Sequence, residues 1–185
     1  MSLCGGCALV CPQKAVSEKK RPVGVVEHGK HQNIDVITGI LNTGEVSAVP
    51  VMKAAMNAGM HLHDLTLIDC PPGSGCSVME SVMEADCCLL AAEPTAFGFH
   101  NFKMVYELVR LLKKPCFVVV NKQDVPYLPL EEFCRQNHTQ ILLRIPYCKE
   151  LAGFGASAAL ASEESPEYRK LFKELLEKIQ REAGI

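Results

Sequence analysis

The rhythm of apolar and polar positions changes along the chain. Between Pro22 and Ile40, PVGVVEHGKHQNIDVITGI sets two short apolar runs around a polar HGKHQN, which predicts two strands joined by a turn. GEVSAVPVMKAAMNAG follows with helical spacing; Pro50 suits a first helical turn and Gly59 a stop. From Leu65 the texture differs. LTLID, CCLLAA, CFVVV and ILLRI are apolar runs of strand length, and SVMESVMEA, GFHNFKMVYELVRLLKK and LEEFCRQN between them carry helical spacing. Strands apolar on both faces that alternate with helices predict an α/β fold, with a mostly parallel sheet and helices on both faces. In the tail, SPEYRKLFKELLEKIQREAG, Ser165 stands as an N-cap and Pro166 as the first helical residue. Tyr168, Phe172, Leu175, Leu176 and Ile179 make one apolar stripe there, so a surface helix docked on the domain is expected.

Composition narrows the function classes. A net charge of −2 over 185 residues gives no footprint for nucleic acid. There is no 18-residue apolar run for a membrane span, and the N-terminal residues lack the apolar core of a signal peptide. Ten cysteines are many, yet most stand inside apolar runs such as DCCLLAAEP and KKPCFVVVN, where Cys acts as a small hydrophobe. Cys70, Cys87, Cys88, Cys116, Cys134 and Cys148 are read as core or incidental. A reducing, cytoplasmic setting is expected.

The first three cysteines are different. Cys4-x2-Cys7-x3-Cys11-Pro12 fits the last three positions of the C-x2-C-x2-C-x3-C-P run that binds 4Fe-4S clusters through thiolates. The first Cys of that run would fall on Met1. Gly5 and Gly6 let backbone wrap a cluster closely. A zinc half-site or a cysteine-rich tail is the alternative. In two-cluster ferredoxins the fourth Cys of a run serves the other cluster, so Cys4 and Cys7 would share one cluster and Cys11 would serve its neighbour. Three cysteines complete neither.

LTLIDCPPGSGCSVME predicts a strand ending in Asp69, a Pro-Pro-Gly turn and a helix. Ligands of α/β sheets bind at the carboxyl ends of strands, where an Asp can hold the shell of Mg²⁺ or orient a water. Gly73 lets a backbone N–H approach phosphate without Cβ interference; Pro72 and Gly75 of the same turn are expected to contribute to cofactor binding. An ordinary capped turn is the alternative. VVVNKQD ends another apolar run, and Asn121-Lys122-x-Asp124 resembles the base-reading motif of P-loop nucleotide-binding proteins, which implies that Asn121 could pair with a purine edge, Lys122 could lie across the ring, and Asp124 would suit guanine. A plain polar loop is the alternative. Gly24 to His31 matches G-x4-G-K, but His31 stands where Ser or Thr would meet Mg²⁺ and no helix follows. It reads as part of the hairpin. His61 and His63 are read as loop residues before LTLID, with a metal pair on a strand as the other reading.

Together, DCPPGSG, AAEPTAFGFHN, VVVNKQD, RIPYCKEL and CGGCALVCP resemble the MinD/ParA-like P-loop ATPases that carry an inserted two-cluster ferredoxin domain, many of them labelled CobQ-type nucleotide-binding proteins. GILNTGEVSAVPVMKAA resembles the segment after the ferredoxin insert. The resemblance implies a P-loop NTPase-like fold, with residues 1–16 the remnant of the ferredoxin and 17–185 the C-terminal part of the nucleotide-binding domain; the composition boundary lies between Ala15 and Pro22. By position, Asp69 resembles the family's water-linked Mg²⁺ ligand and Gly73 the glycine whose N–H senses the γ-phosphate. Asn121 resembles the adenine-contacting Asn, and Pro146 falls in the loop bordering the base. ATP is the implied nucleotide. Cys76, seven residues past Asp69, resembles a cluster-ligating Cys of a related iron protein; a small residue at a helix start is the plainer reading.

The family's first strand, its phosphate loop, the first ferredoxin run and the first Cys of the second have no counterpart in the chain. The expectation is therefore an N-terminally truncated piece that leaves a gap beside LTLID, closed by rearrangement or self-association, and that does not hydrolyse ATP alone. The implied parent is an ATP-driven homodimeric switch coupled to electron transfer or cluster delivery, with a redox partner protein. A degenerate, non-catalytic partner-binding subunit is a second reading. An ATP-dependent ligase of the CobQ or dethiobiotin synthetase kind is a third, although the ferredoxin remnant speaks against it.

Overall fold

The computed structural model describes residues 6–17, 19–60 and 62–184, and the chain divides into two compact units, 1–66 and 67–185. The first holds the short helix α1 (Gly6–Val10), strands β1 (Gly24–His31) and β2 (Ile34–Leu41), and helix α2 (Val49–Gly59). β1 and β2 pair antiparallel from Gly24 opposite Leu41 to His31 opposite Ile34. The hairpin expected from the alternation is present, but Gln32 and Asn33 alone make its turn, with Gln32 at φ 53°. The G-x4-G-K string is thus strand, with no helix N-terminus to cradle a phosphate.

α2 starts at Val49 with Pro50 in its first turn and ends at Gly59, as the spacing predicts. It packs closely on the hairpin. A Cβ at Gly24 would lie 2.3 Å from the Ile40 carbonyl oxygen and 2.6 Å from Val51 Cγ2. Only glycine permits that approach. Val51 is the one fully buried apolar residue among the described residues of this unit, while Val25, Ile34, Val36 and Ile40 remain exposed.

The second unit contains α3 (Cys76–Glu84), β3 (Cys88–Ala92), α4 (Ala96–Leu111), β4 (Cys116–Val120), α5 (Leu128–Gln136), β5 (Ile141–Arg144), α6 (Lys149–Ala156), α7 (Ala161–Glu164) and α8 (Pro166–Ala183). Its sheet has three strands in the order β3-β4-β5, all parallel. β4 lies in the middle, with Val118 and Val120 fully buried. Val78 and Val82 from α3, Phe102, Tyr106 and Val109 from α4, and Leu130 and Cys134 from α5 share one core with Leu90, Val118 and Val120. The mixed α/β architecture with a parallel sheet follows from those apolar runs.

Three features differ from expectation. Residues 65–69 form no strand, although LTLID has the composition of one. A strand exists only where its N–H and C=O groups find a ladder; among the described residues β3 pairs with β4 alone, and Leu67 stands 82% exposed. Second, β3 is covered on one face only: Cys88, Leu90 and Ala92 are buried, whereas Leu89 and Ala91 are exposed. Third, α8 buries no residue completely, its stripe lies half-covered, and Ser165 occupies the N-cap position without a side-chain capping bond. The short helices α6 and α7 lack an apolar period that predicts them. Among the described residues no helix is long and apolar enough to cross a membrane.

Candidate functional site

The sheet continues as single hydrogen bonds beyond its strand ends. Asn121 N–H donates to the Ala92 carbonyl at 2.8 Å, Ile145 N–H to that of Val120 at 2.8 Å, and Gln123 N–H to that of Ile145 at 2.9 Å. The loops after β3, β4 and β5 therefore lie side by side at the carboxyl edge, where α/β sheets bind ligands. Thr95 caps α4: its Oγ1 accepts from Gly98 N–H at 2.9 Å. Gly98 is needed there, because a Cβ would meet the Glu93 carbonyl oxygen at 2.5 Å.

Asn121 Oδ1 accepts from Lys122 N–H at 3.0 Å, and its side-chain amide N–H groups have no partner among the described residues. Lys122 holds a left-handed backbone, φ 59°, and its Nζ meets Glu93 Oε1 at 2.6 Å. The Glu93 carboxylate holds the ammonium above its ordinary value, against a smaller opposing effect of desolvation. The structure thus brings Asn121 and Lys122 beside the loop that carries Pro146. A brace lies under them. Arg144 clamps Glu131 through Nε at 3.1 Å and a terminal nitrogen at 2.7 Å, and Gln123 Nε2 donates to Glu131 Oε1 at 3.4 Å. Arg144 holds the Glu131 carboxyl below its usual range, against the opposing pull of partial burial. Gln123 Oε1 is buried with no donor among the described residues.

Asp69, Pro72, Gly73 and Gly75 are all exposed. Gly73 adopts φ 95°, with open space where a Cβ would stand. Gly75 is the N-cap of α3, without a side-chain cap, and Cys76 is that helix's exposed first residue. The turn-then-helix part of the expectation holds, but Asp69 does not end a paired strand. Among the described residues no hydrogen bond joins this turn to the Asn121–Lys122 cluster.

Cys4 lies outside the described residues. Cys7 is exposed on α1, and Cys11 follows that helix. Ala15 N–H meets Cys11 Sγ at 3.4 Å, and backbone N–H groups, Ala15 first, hold this thiol below its ordinary value. That environment suits a thiolate ligand. Two described thiols fall short of the four a cluster takes, and among the described residues no group of three His, Cys, Asp or Glu is disposed to hold a metal ion. Cys88 and Cys134 are buried, and Cys87, Cys116 and Cys148 are half-buried, as core cysteines should be; Cys70 is exposed. His61 lies outside the described residues. His63 sits outside any strand and shares the Asp35 carboxylate with His28, each Nε2 at 2.6 Å from a separate oxygen.

These pairings have no signature in the sequence. Glu93 and Lys122 are 29 residues apart, and Glu131 and Arg144 are 13 apart. Only the register of β3, β4 and β5 brings each pair together. A groove of about 210 Å³ along β1, between Arg21, Val25, Pro50 and Ala54, carries none of the polar residues singled out above.

No known protein-family profile matches the chain. It is similar to two uncharacterized proteins of Methanocaldococcus jannaschii. MJ0579 is 26% identical over 129 residues, 69% of this chain and 48% of that protein. MJ0578 is 26% identical over 162 residues, 86% of this chain and 55% of that protein. The chain spans about half the length of the curated relatives it matches.

Proposed function

We propose that the chain is the C-terminal portion of a MinD/ParA-like ATP-binding protein with an iron–sulfur domain, and that its strand-end cluster takes the nucleotide base. The observation that carries this reading is the juxtaposition of Asn121, Lys122 and the Pro146 loop at the carboxyl edge of a parallel sheet, stitched by backbone hydrogen bonds. Asn121 offers amide donors to a purine edge. Lys122, anchored by Glu93, borders the ring. The P-loop NTPase-like fold is part of the proposal, and the free edge of β3 supports it. α3, α4 and α5 share one core, and β-α-β crossovers are right-handed. A strand preceding α3 therefore belongs on the far side of β3 from β4. A further parallel strand in that slot would give the run ending at Asp69 a ladder to join.

Within that assembly Asp69 would hold Mg²⁺, which would supply charge neutralisation, and Gly73 N–H would be a donor to phosphate, a role its open surroundings permit. Phosphoryl transfer needs a phosphate loop and its Lys to neutralise charge. The chain alone supplies neither, so it binds Mg-ATP weakly and does not turn it over. Cys4, Cys7 and Cys11 would hold iron of 4Fe-4S clusters completed by further cysteines, which supply one-electron transfer. The parent acts as a homodimeric switch in a reducing cytoplasm, its nucleotide state gating electron flow to a redox partner protein.

The test is the longer protein, purified without oxygen. ATP hydrolysis with cluster signals in electron paramagnetic resonance is the expected result. A protein with neither iron nor nucleotide affinity would contradict the proposal.

A further inference from the structure

Four tyrosines occur in the chain. Tyr106, Tyr127 and Tyr168 each pack against another ring. Among the described residues Tyr147 has no ring partner, its hydroxyl has no hydrogen bond, and it stands 52% exposed. A half-exposed aromatic that contributes nothing to the core invites a role outside the fold. Its place is specific. Tyr147 follows Pro146 in the loop after β5, and the Gln123–Ile145 hydrogen bond ties that loop to the one bearing Asn121 and Lys122. Its hydroxyl, once ionised, adds to the field that favours the charged Lys122 ammonium, after the larger effect of Glu93.

We infer that Tyr147 is the stacking residue of the base site: its ring packs on the planar face of a purine whose edge meets the Asn121 amide. The inference rests on the base-site reading above and adds what holds the base by its face. The chemistry is complementary. Asn121 Oδ1 is already engaged by Lys122 N–H, so the amide N–H groups remain to donate to a ring nitrogen such as N7, an acceptor that adenine and guanine share. One such hydrogen bond orients a base and holds it weakly. Stacking supplies sequence-tolerant affinity, because every base has a π-face. Tyr147 is therefore a binding residue, and its substitution changes affinity for the base and leaves the handling of phosphates alone.

Adenosine tests this on the chain as it exists, since a nucleoside needs no phosphate loop. Amide chemical shifts are followed in nuclear magnetic resonance as adenosine is added to wild type, Tyr147→Ala, Tyr147→Phe and Asn121→Ala. Shifts centred on 121–123 and 146–148 are expected. Tyr147→Ala should bind about tenfold more weakly, and Tyr147→Phe, which keeps the ring, within about twofold of wild type. Because Tyr147 is exposed, both variants should retain the amide pattern of β3–β5. If adenosine shifts 121–123 and Asn121→Ala abolishes the response while Tyr147→Ala binds like wild type, the stacking role is overturned and the base site stands. If wild type shows no response in these loops at saturating adenosine, the base site and the stacking role fall together.

Discussion

Lys122 joins an unusual backbone to an unusual tether. A non-glycine residue at φ 59° is uncommon, and here the turn aims the side chain at Glu93 across two strand ends. Both partners are about half exposed, so the tether fixes position more than it stabilises the fold. Glu131 differs, because Arg144 depresses its carboxyl in a partly covered place. A depressed carboxyl contributes stability above its ordinary value of 4.5, lost as pH falls through the lower folded value. The urea midpoint should therefore drop with acid over that window, and Glu131→Gln should remove this part of the dependence. Cysteines give a second residue-scale prediction. Burial pushes the Cys88 and Cys134 thiols up to about 11, while Cys7, Cys70 and Cys76 are exposed. Iodoacetamide on the native protein, read by mass spectrometry, should label the exposed three and spare the buried two. Equal labelling would contradict the core of the second unit.

At the scale of elements, α4 and α5 hold the loops of the candidate site. Thr95→Ala removes the cap of α4 and should cost about 1 kcal/mol of stability. Gly98→Ala should cost more, since its methyl would meet the Glu93 carbonyl oxygen at 2.5 Å and that backbone has little freedom to move. Leu130, 1% exposed, anchors α5, and Leu130→Ala should cost about 2–5 kcal/mol in urea denaturation. How far these elements were legible depends on what each one needs. CFVVV reads as a buried strand because its composition already meets its environment, and the long period of GFHNFKMVYELVRLLKK leaves little choice but a helix. LTLID misleads for a physical reason: its composition is local, whereas a strand needs a neighbour, and the neighbour is not encoded in five residues. The hairpin was legible in kind but not in turn length. Asn121 and Lys122 were legible as candidates because their motif ends an apolar run, and Pro146 only through the family resemblance. The Glu93 tether, the Glu131 brace and the place of Tyr147 were not, because they arise only when three strands come into register.

At the scale of the whole molecule, β3 has an edge that no strand among the described residues pairs with, and the apolar run that precedes α3 in sequence has no ladder. Unpaired strand edges associate, so sedimentation should show the isolated chain assembling as concentration rises. A strict monomer at high concentration would count against an open slot. The proposed function predicts weak Mg-ATP binding and no turnover by this chain, measurable by calorimetry and phosphate release. In the proposed longer protein, Asp69→Asn should lower ATP turnover at least tenfold while leaving adenosine binding unchanged, an order-of-magnitude expectation for loss of the metal-positioning carboxylate that the proposal assigns. The central claim, that these residues are part of a redox-coupled P-loop ATPase, is tested most directly by reading the genomic DNA upstream of the Met1 codon in the same frame. The account predicts a Gly-Lys-Thr loop and about five further cysteines there, enough with Cys4, Cys7 and Cys11 for two clusters. An in-frame stop codon with a start signal at Met1 would contradict it.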